Sequence, residues 1–118
     1  MPRVLNIDHI GIVVPDIEKS LNFWQGILGI KVDYIENVPS MDLDLAWLPV
    51  GKTRLELLEP TSGEGNEYHE FLKQHGPGFH HLCVVVDDLD LMLEKIRENR
   101  IRLKNEEVIT LPGRKLVF

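Results

Sequence analysis

Two histidines and one glutamate offer this chain its most distinctive chemistry, through their placement more than their number. His81 stands where the glycine-rich turn Gly76-Pro77-Gly78 enters the apolar run Leu82-Cys83-Val84-Val85-Val86, which stops at Asp87-Asp88 and a helix start. The stretch Asp8-His9-Ile10-Gly11-Ile12-Val13-Val14-Pro15-Asp16-Ile17 repeats that order of histidine, strand, aspartate and helix, and the two superpose with His9 on His81. Neutral imidazole nitrogens suit a first-row divalent cation, and the carboxylate of Glu56 adds a hard oxygen donor. The separations are far too wide for a local metal motif, so only a duplicated fold can bring the three together. Plain structural readings stand beside this one: each histidine could be packed at a strand start, and Glu56 could pair with Arg54 on a solvated face.

The elements that must position these residues follow from periodicity. Residues 4–14 read as a strand with Ile10, Ile12 and Val14 toward a core and His9, Gly11 and Val13 on the other face, where Gly11 leaves space near the imidazole. Asp16 caps a helix whose apolar face is Ile17, Leu21, Trp24 and Leu28, with Gly29 as its stop. Residues 30–35 form a return strand, and 37–40 a loop broken by Pro39. Residues 42–47 alternate as a half-buried strand with Leu43, Leu45 and Trp47 on one face. Gly51-Lys52 turns into a strand over 53–58 in which Arg54, Glu56 and Leu58 share a face opposite Leu55 and Leu57.

A polar, glycine-containing stretch and a short helix over 67–75 bridge to the second copy. There His81, Cys83 and Val85 share one face, and His80, of opposite parity, points to the other side. Asp88 caps a helix with Leu89, Met92, Leu93 and Ile96 inward, ended by a left-handed Asn99. Short strands are expected at 101–103 and 106–109, a turn at Pro112-Gly113, and a further strand from Lys115 to Phe118. By the repeat, the counterpart of Glu56 and the last strand of the second copy are expected beyond Phe118. The expected class is α+β, one domain with module one at 4–60, a bridging loop and helix at 61–77, and an incomplete module two at 78–118.

A chain of 118 residues supports one core, so the two copies must share it. With 43% hydrophobic and 27% charged residues it is composed as a globular protein, not a disordered one. A net charge of -6 argues against nucleic acid as the main partner. No apolar run is long enough for a bilayer and no signal peptide is visible, which points to the cytoplasm, or an organelle matrix if a targeting segment was removed. Cys83 is the single cysteine, excluding an internal disulfide, and its strand position suits a small packed residue.

Several stretches in order then carry a resemblance: Asp8 to Asp16; Asn22-Phe23-Trp24 running into Leu28-Gly29; Leu55-Glu56-Leu57-Leu58-Glu59-Pro60; Gly78-Phe79-His80-His81-Leu82; and Glu106-Glu107-Val108 followed by Val117-Phe118. Spanning nearly the whole chain, they resemble the vicinal oxygen chelate (glyoxalase-like) superfamily and, within it, the methylmalonyl-CoA epimerases. The resemblance implies paired βαβββ modules forming a curved, cup-like mixed sheet. It also implies a divalent metal cation held at positions that carry over to His9, Glu56 and His81, with nothing to choose among Co, Mn, Ni, Zn and Mg. A fourth ligand, a glutamate on the last strand of module two, has no counterpart before Phe118.

The implied reaction is an isomerisation of an acyl-CoA substrate. The C2 epimers of methylmalonyl-CoA interconvert by removal of the α-proton on one face and its return on the other, through a metal-stabilised enediolate. A homodimer is usual in the family, and neither nucleic acid nor membrane is an expected partner. The catalytic acid and base stay unassigned. Where some members place a glutamate this chain has Leu45, and Asp42 and Asp44 are the neighbouring carboxylates. Another enzyme of the superfamily, a glyoxalase I-type lyase or a dioxygenase, and a metal-free small-molecule-binding module are the alternatives.

Overall fold

The computed structural model describes residues 1–118 apart from Glu106 and Pro112. They divide into two compact units, one of Ile7–Val84 and the other of Met1–Asn6 with Val85–Phe118. In chain order the elements are β1 (Val4–Val13), α1 (Ile17–Leu21), β2 (Tyr34–Val38), β3 (Leu43–Val50), β4 (Thr53–Pro60), α2 (Glu67–His75), β5 (Gly78–Val86), α3 (Leu89–Glu98), β6 (Ile109–Leu111) and β7 (Arg114–Leu116). The class is α+β.

The larger unit is built on a mixed sheet of order β2-β3-β4-β1-β5. β1 runs parallel to β4, whereas β2–β3 and β3–β4 are antiparallel. Gly51, at φ 61, lets β3 return into β4 through two residues, with Val50 opposite Thr53. That tight turn sets the register, Trp47 opposite Glu56 and Leu45 opposite Leu58, and so decides which side chains share a face.

Both faces of this sheet carry core. Val13, Leu43, Leu45, Trp47, Leu58 and Tyr68 cluster on one side, and Val14, Ile17, Ala46, Leu48 and Leu57 on the other. β3 is therefore buried on both faces instead of half-buried, because it lies between β2 and β4 with the α1 side chains over Ala46 and Leu48 and those of α2 over Leu43 and Leu45. In β1 the face expected to seek the core, Ile10 and Ile12, is only partly buried, while His9, Gly11 and Val13 are buried.

The first helix departs from its expected periodicity. Asp16 does cap it, accepting from the Lys19 amide at 3.1 Å, and Glu59 of β4 takes the Ile17 amide at 2.7 Å. After Leu21, however, the chain continues as a π-helix over Asn22–Ile27, with the Leu28 amide on the Phe23 carbonyl at 3.0 Å. The wider turn rotates the later residues, so Ile17, Leu21 and Trp24 pack while Leu28 is left 51% exposed. The return strand begins later than expected, at Tyr34. Ile30 and Val32 instead pack as irregular chain against the second cluster, and Pro39–Met41 form a 3-10 turn. α2 matches its expected span, capped by Asn66, whose side-chain oxygen accepts from the Tyr68 and His69 amides.

In the smaller unit Asp88 caps α3 through the Leu91 amide at 3.0 Å, and Leu93 is buried. Arg3 and Asp87 bind each other through both backbone and side chain. Asn99 has φ -88 and closes the helix by bonding the Lys95 carbonyl with its side chain; the left-handed residue is Arg100, φ 58. Residues 101–103 form no strand, and the hairpin is β6–β7, with Ile109 opposite Leu116. Of the expected strand at 106–109 and turn at Pro112-Gly113, Glu106 and Pro112 lie outside the described residues.

Candidate metal centre

All three of His9, Glu56 and His81 belong to the larger unit, on the neighbouring strands β1, β4 and β5. Parallel pairing of β1 with β4 sets His9 beside Arg54 and Gly11 beside Glu56. Period-two alternation then turns His9 and Glu56 to the same face, where both are buried, with His81 half-buried beside them.

The donor atoms form a small triangle. His9 Nε2 lies 3.2 Å from His81 Nε2, His81 Nε2 lies 3.2 Å from Glu56 Oε1, and His9 Nε2 lies 3.7 Å from Glu56 Oε1. A cation bonded at about 2.0–2.2 Å spaces its ligands roughly 3 to 3.5 Å apart, so the triangle is close to one face of such a coordination shell. Two imidazoles and one carboxylate are also a donor set that divalent first-row metals accept.

Gly11 is part of the construction. A Cβ there would stand 2.2 Å from His81 Cε1 and 2.5 Å from His81 Nδ1, so the imidazole of His81 occupies the volume a side chain would take. The space expected above Gly11 is filled by the second histidine.

A polar brace lies behind His9. Asp8 Oδ2 meets His9 Nδ1 at 2.7 Å and Arg54 Nη2 at 2.9 Å, and the Arg54 guanidinium lies 4.2 Å from the centre of the Trp47 ring. The Trp47 ring in turn stands edge-on to His9 at 5.2 Å. Burial pushes the Asp8 carboxyl up, but hydrogen bonds from His9 and Arg54 and the nearby positive charge outweigh it and hold it below its ordinary value. Arg54 thus pairs with Asp8 and not with Glu56.

Residues 8–118 match the model of the Glyoxalase/Bleomycin resistance protein/Dioxygenase superfamily. The chain belongs to that superfamily. Among its relatives is the mitochondrial methylmalonyl-CoA epimerase of Homo sapiens, 32% identical over 95% of this chain and 64% of that protein. The chain thus spans just under two thirds of that relative's length. Among solved structures, the methylmalonyl-CoA epimerase of Mycobacterium tuberculosis superposes with a TM-score of 0.83 at 26% identity, over 98% of this chain and 79% of that one. The Streptomyces coelicolor epimerase in complex with 2-nitronate-propionyl-CoA gives 0.82 at 28%, over 92% and 81%.

The other polar residues of this superfamily chain are arranged less simply. Asp42, in the left-handed region at φ 51, sits at the entrance to β3, and its carbonyl accepts from Asn66. Asp44 lies opposite Glu59, on the face away from Glu56, and accepts from Asn37 at 2.8 Å. Neither joins the triangle. His80, expected to face away, instead brings Nδ1 to 2.9 Å from His81 Nδ1 and packs by Tyr68 and Phe71. Imidazole length at the turn overrides backbone parity. One of the two Nδ1 atoms must donate, so a His81 offering its lone pair at Nε2 donates from Nδ1 to His80.

Cys83 is half-buried, not fully packed, and with Asp8 and His9 it offers ligand atoms within 4.8 Å of one another. The Arg54 guanidinium on Asp8 opposes a cation there. Tyr68 is 7% exposed, and its phenol is pushed up to about 12, chiefly by burial and further by Glu67 and Glu56, so it stays a neutral hydrogen-bond donor. Sequence reasoning gave Asp8 and Tyr68 no role at the site and considered Arg54 only as a partner for Glu56. Asp8 had a signal, adjacency to His9, whereas the Arg54 link needed the cross-strand register.

Proposed function

We propose that the chain is a metal-dependent isomerase that interconverts the C2 epimers of methylmalonyl-CoA, working as one domain of two modules in a homodimer. The observation that carries this reading is the convergence of His9 Nε2, His81 Nε2 and Glu56 Oε1 on one point in a chain similar to epimerases of that substrate. His9, Glu56 and His81 are the residues that would hold the cation. When bound, a divalent cation supplies Lewis-acid stabilisation for negative charge developing on the oxygens of the substrate.

The chain's own residues do the rest. Trp47, buried in the core cluster, stands edge-on to His9 and opposite Glu56 in the register, and so backs two of the three donors. Epimerisation needs a proton taken from C2 on one face and returned on the other, hence an acid and a base on opposite sides of the bound acid. Asp44, opposite Glu59, faces away from Glu56, and Asp42 sits at the entrance to β3, so neither is given that role.

The test is exchange at C2. Metal-loaded protein incubated with methylmalonyl-CoA in D2O is expected to place deuterium at C2, and His81→Ala to abolish this. Exchange retained by His81→Ala rejects His81 as a ligand, and no exchange by the loaded wild type rejects the activity. A second reading is favoured by the donor set itself, since two histidines and one carboxylate on a triangular face also suit non-haem iron and dioxygen. Oxygen uptake with a catechol by the iron(II)-loaded protein, without exchange at C2, would select it.

A further inference from the structure

We infer that Asp8 is a positioning residue for His9, setting which imidazole nitrogen carries the proton and thereby presenting Nε2 to His81 and Glu56. A neutral imidazole has one donor and one acceptor nitrogen, and the partner of one decides the role of the other. Asp8 Oδ2, 2.7 Å from Nδ1, is an acceptor only, so the proton is held at Nδ1 and the lone pair is left at Nε2, the atom that faces the other two donors.

The carboxylate is itself fixed. Arg54 Nη2 donates to the same Oδ2 at 2.9 Å, and Arg54 is held by stacking 4.2 Å over Trp47, whose ring stands edge-on to His9. His9, Asp8, Arg54 and Trp47 thus close a loop across β1, β4 and β3, with His9 and Arg54 cross-strand neighbours in the parallel register. Such outer partners orient a ligating histidine and strengthen it as a donor. The effect on metal rests on the role proposed above for the triangle; the effect on the tautomer does not.

The experiment reads the two separately. In metal-free, 15N-labelled protein, long-range proton–nitrogen NMR is expected to show His9 with Nδ1 protonated and Nε2 bare. Asp8→Ala should lose that bias, and Asp8→Asn, which keeps an acceptor oxygen and nearly the same shape, should largely retain it. In calorimetric titrations with Mn(II) or Co(II), Asp8→Ala should bind about 10–100-fold more weakly. His81→Ala should lose metal while leaving the His9 tautomer unchanged. An identical His9 tautomer in wild type and a folded Asp8→Ala overturns the inference, as does a shifted tautomer with undiminished metal affinity. A wild type that binds no metal but shows the Asp8-dependent tautomer defeats the proposed function and supports the positioning role of Asp8.

Discussion

At the scale of single residues, His81 and Gly11 share one small volume, and this makes a sharp expectation. The Cβ of Gly11→Ala would meet the imidazole of His81, a side chain that can swing aside, and not backbone. The variant should fold with stability within about 1 kcal/mol of wild type, since little else is displaced. Its metal affinity should nonetheless fall by at least tenfold, as read by calorimetric titration. Tyr68 makes a second expectation. Its phenol keeps its proton in the fold up to about 12 and ionises near 10.0 once unfolded, so the folded state is favoured by this group below pH 10 and loses that advantage as pH rises toward 12. Tyr68→Phe should flatten the alkaline limb of the melting-temperature profile; an unchanged limb would show that the phenol does not carry it. The three donors could be found in the sequence because the repeated histidine and the alternation around Glu56 gave each of them a face. The brace behind His9 was signalled only by the adjacency of Asp8, because alternation turns Asp8 away from His9, and the Arg54 link to it depends on the cross-strand register. His80 was misplaced for the same reason, a side chain reaching where its Cβ does not point.

At the scale of elements, the tight Gly51-Lys52 turn governs the site from a distance. Inserting one residue there shifts β4 against β3 and sends Glu56 to the face of Leu57, so metal binding should vanish in a titration even where circular dichroism shows the sheet intact. Leu57, fully buried between the sheet and the α1 side, should cost about 2–5 kcal/mol on truncation to Ala, measured by denaturant unfolding. Element types were legible wherever one period ran undisturbed, as in α2, α3 and β4, whereas the last hairpin falls at Ile109–Leu111 and Arg114–Leu116 and not at the expected strands. They were not where hydrogen bonding alone decides. Nothing in the spacing of Ile17, Leu21, Trp24 and Leu28 distinguishes an α-turn from the π-turn that exposes Leu28. Likewise, the alternation of β3 showed one buried face, but burial of Ala46 and Leu48 depends on what packs over them, which is tertiary.

At the scale of the molecule, a ligand that binds only the folded chain stabilises it by mass action. If the triangle holds a cation, about 2.7 kcal/mol should be gained when the free metal is a hundred times its dissociation constant, and EDTA should remove all of it. A melting temperature indifferent to both additions would mean the three donors hold no metal. The net charge of -6 works in the same direction, drawing cations to the surface at low ionic strength. The slot at Gly11 has a consequence for how such a molecule can change over generations. Its contribution is an absence, so no loss of atoms anywhere in a truncation survey will register it, and its importance shows only when something is added. A lineage that enlarges this position would displace the imidazole of His81 in a single step while keeping the same sheet, leaving a folded chain without the triangle and free for other cargo.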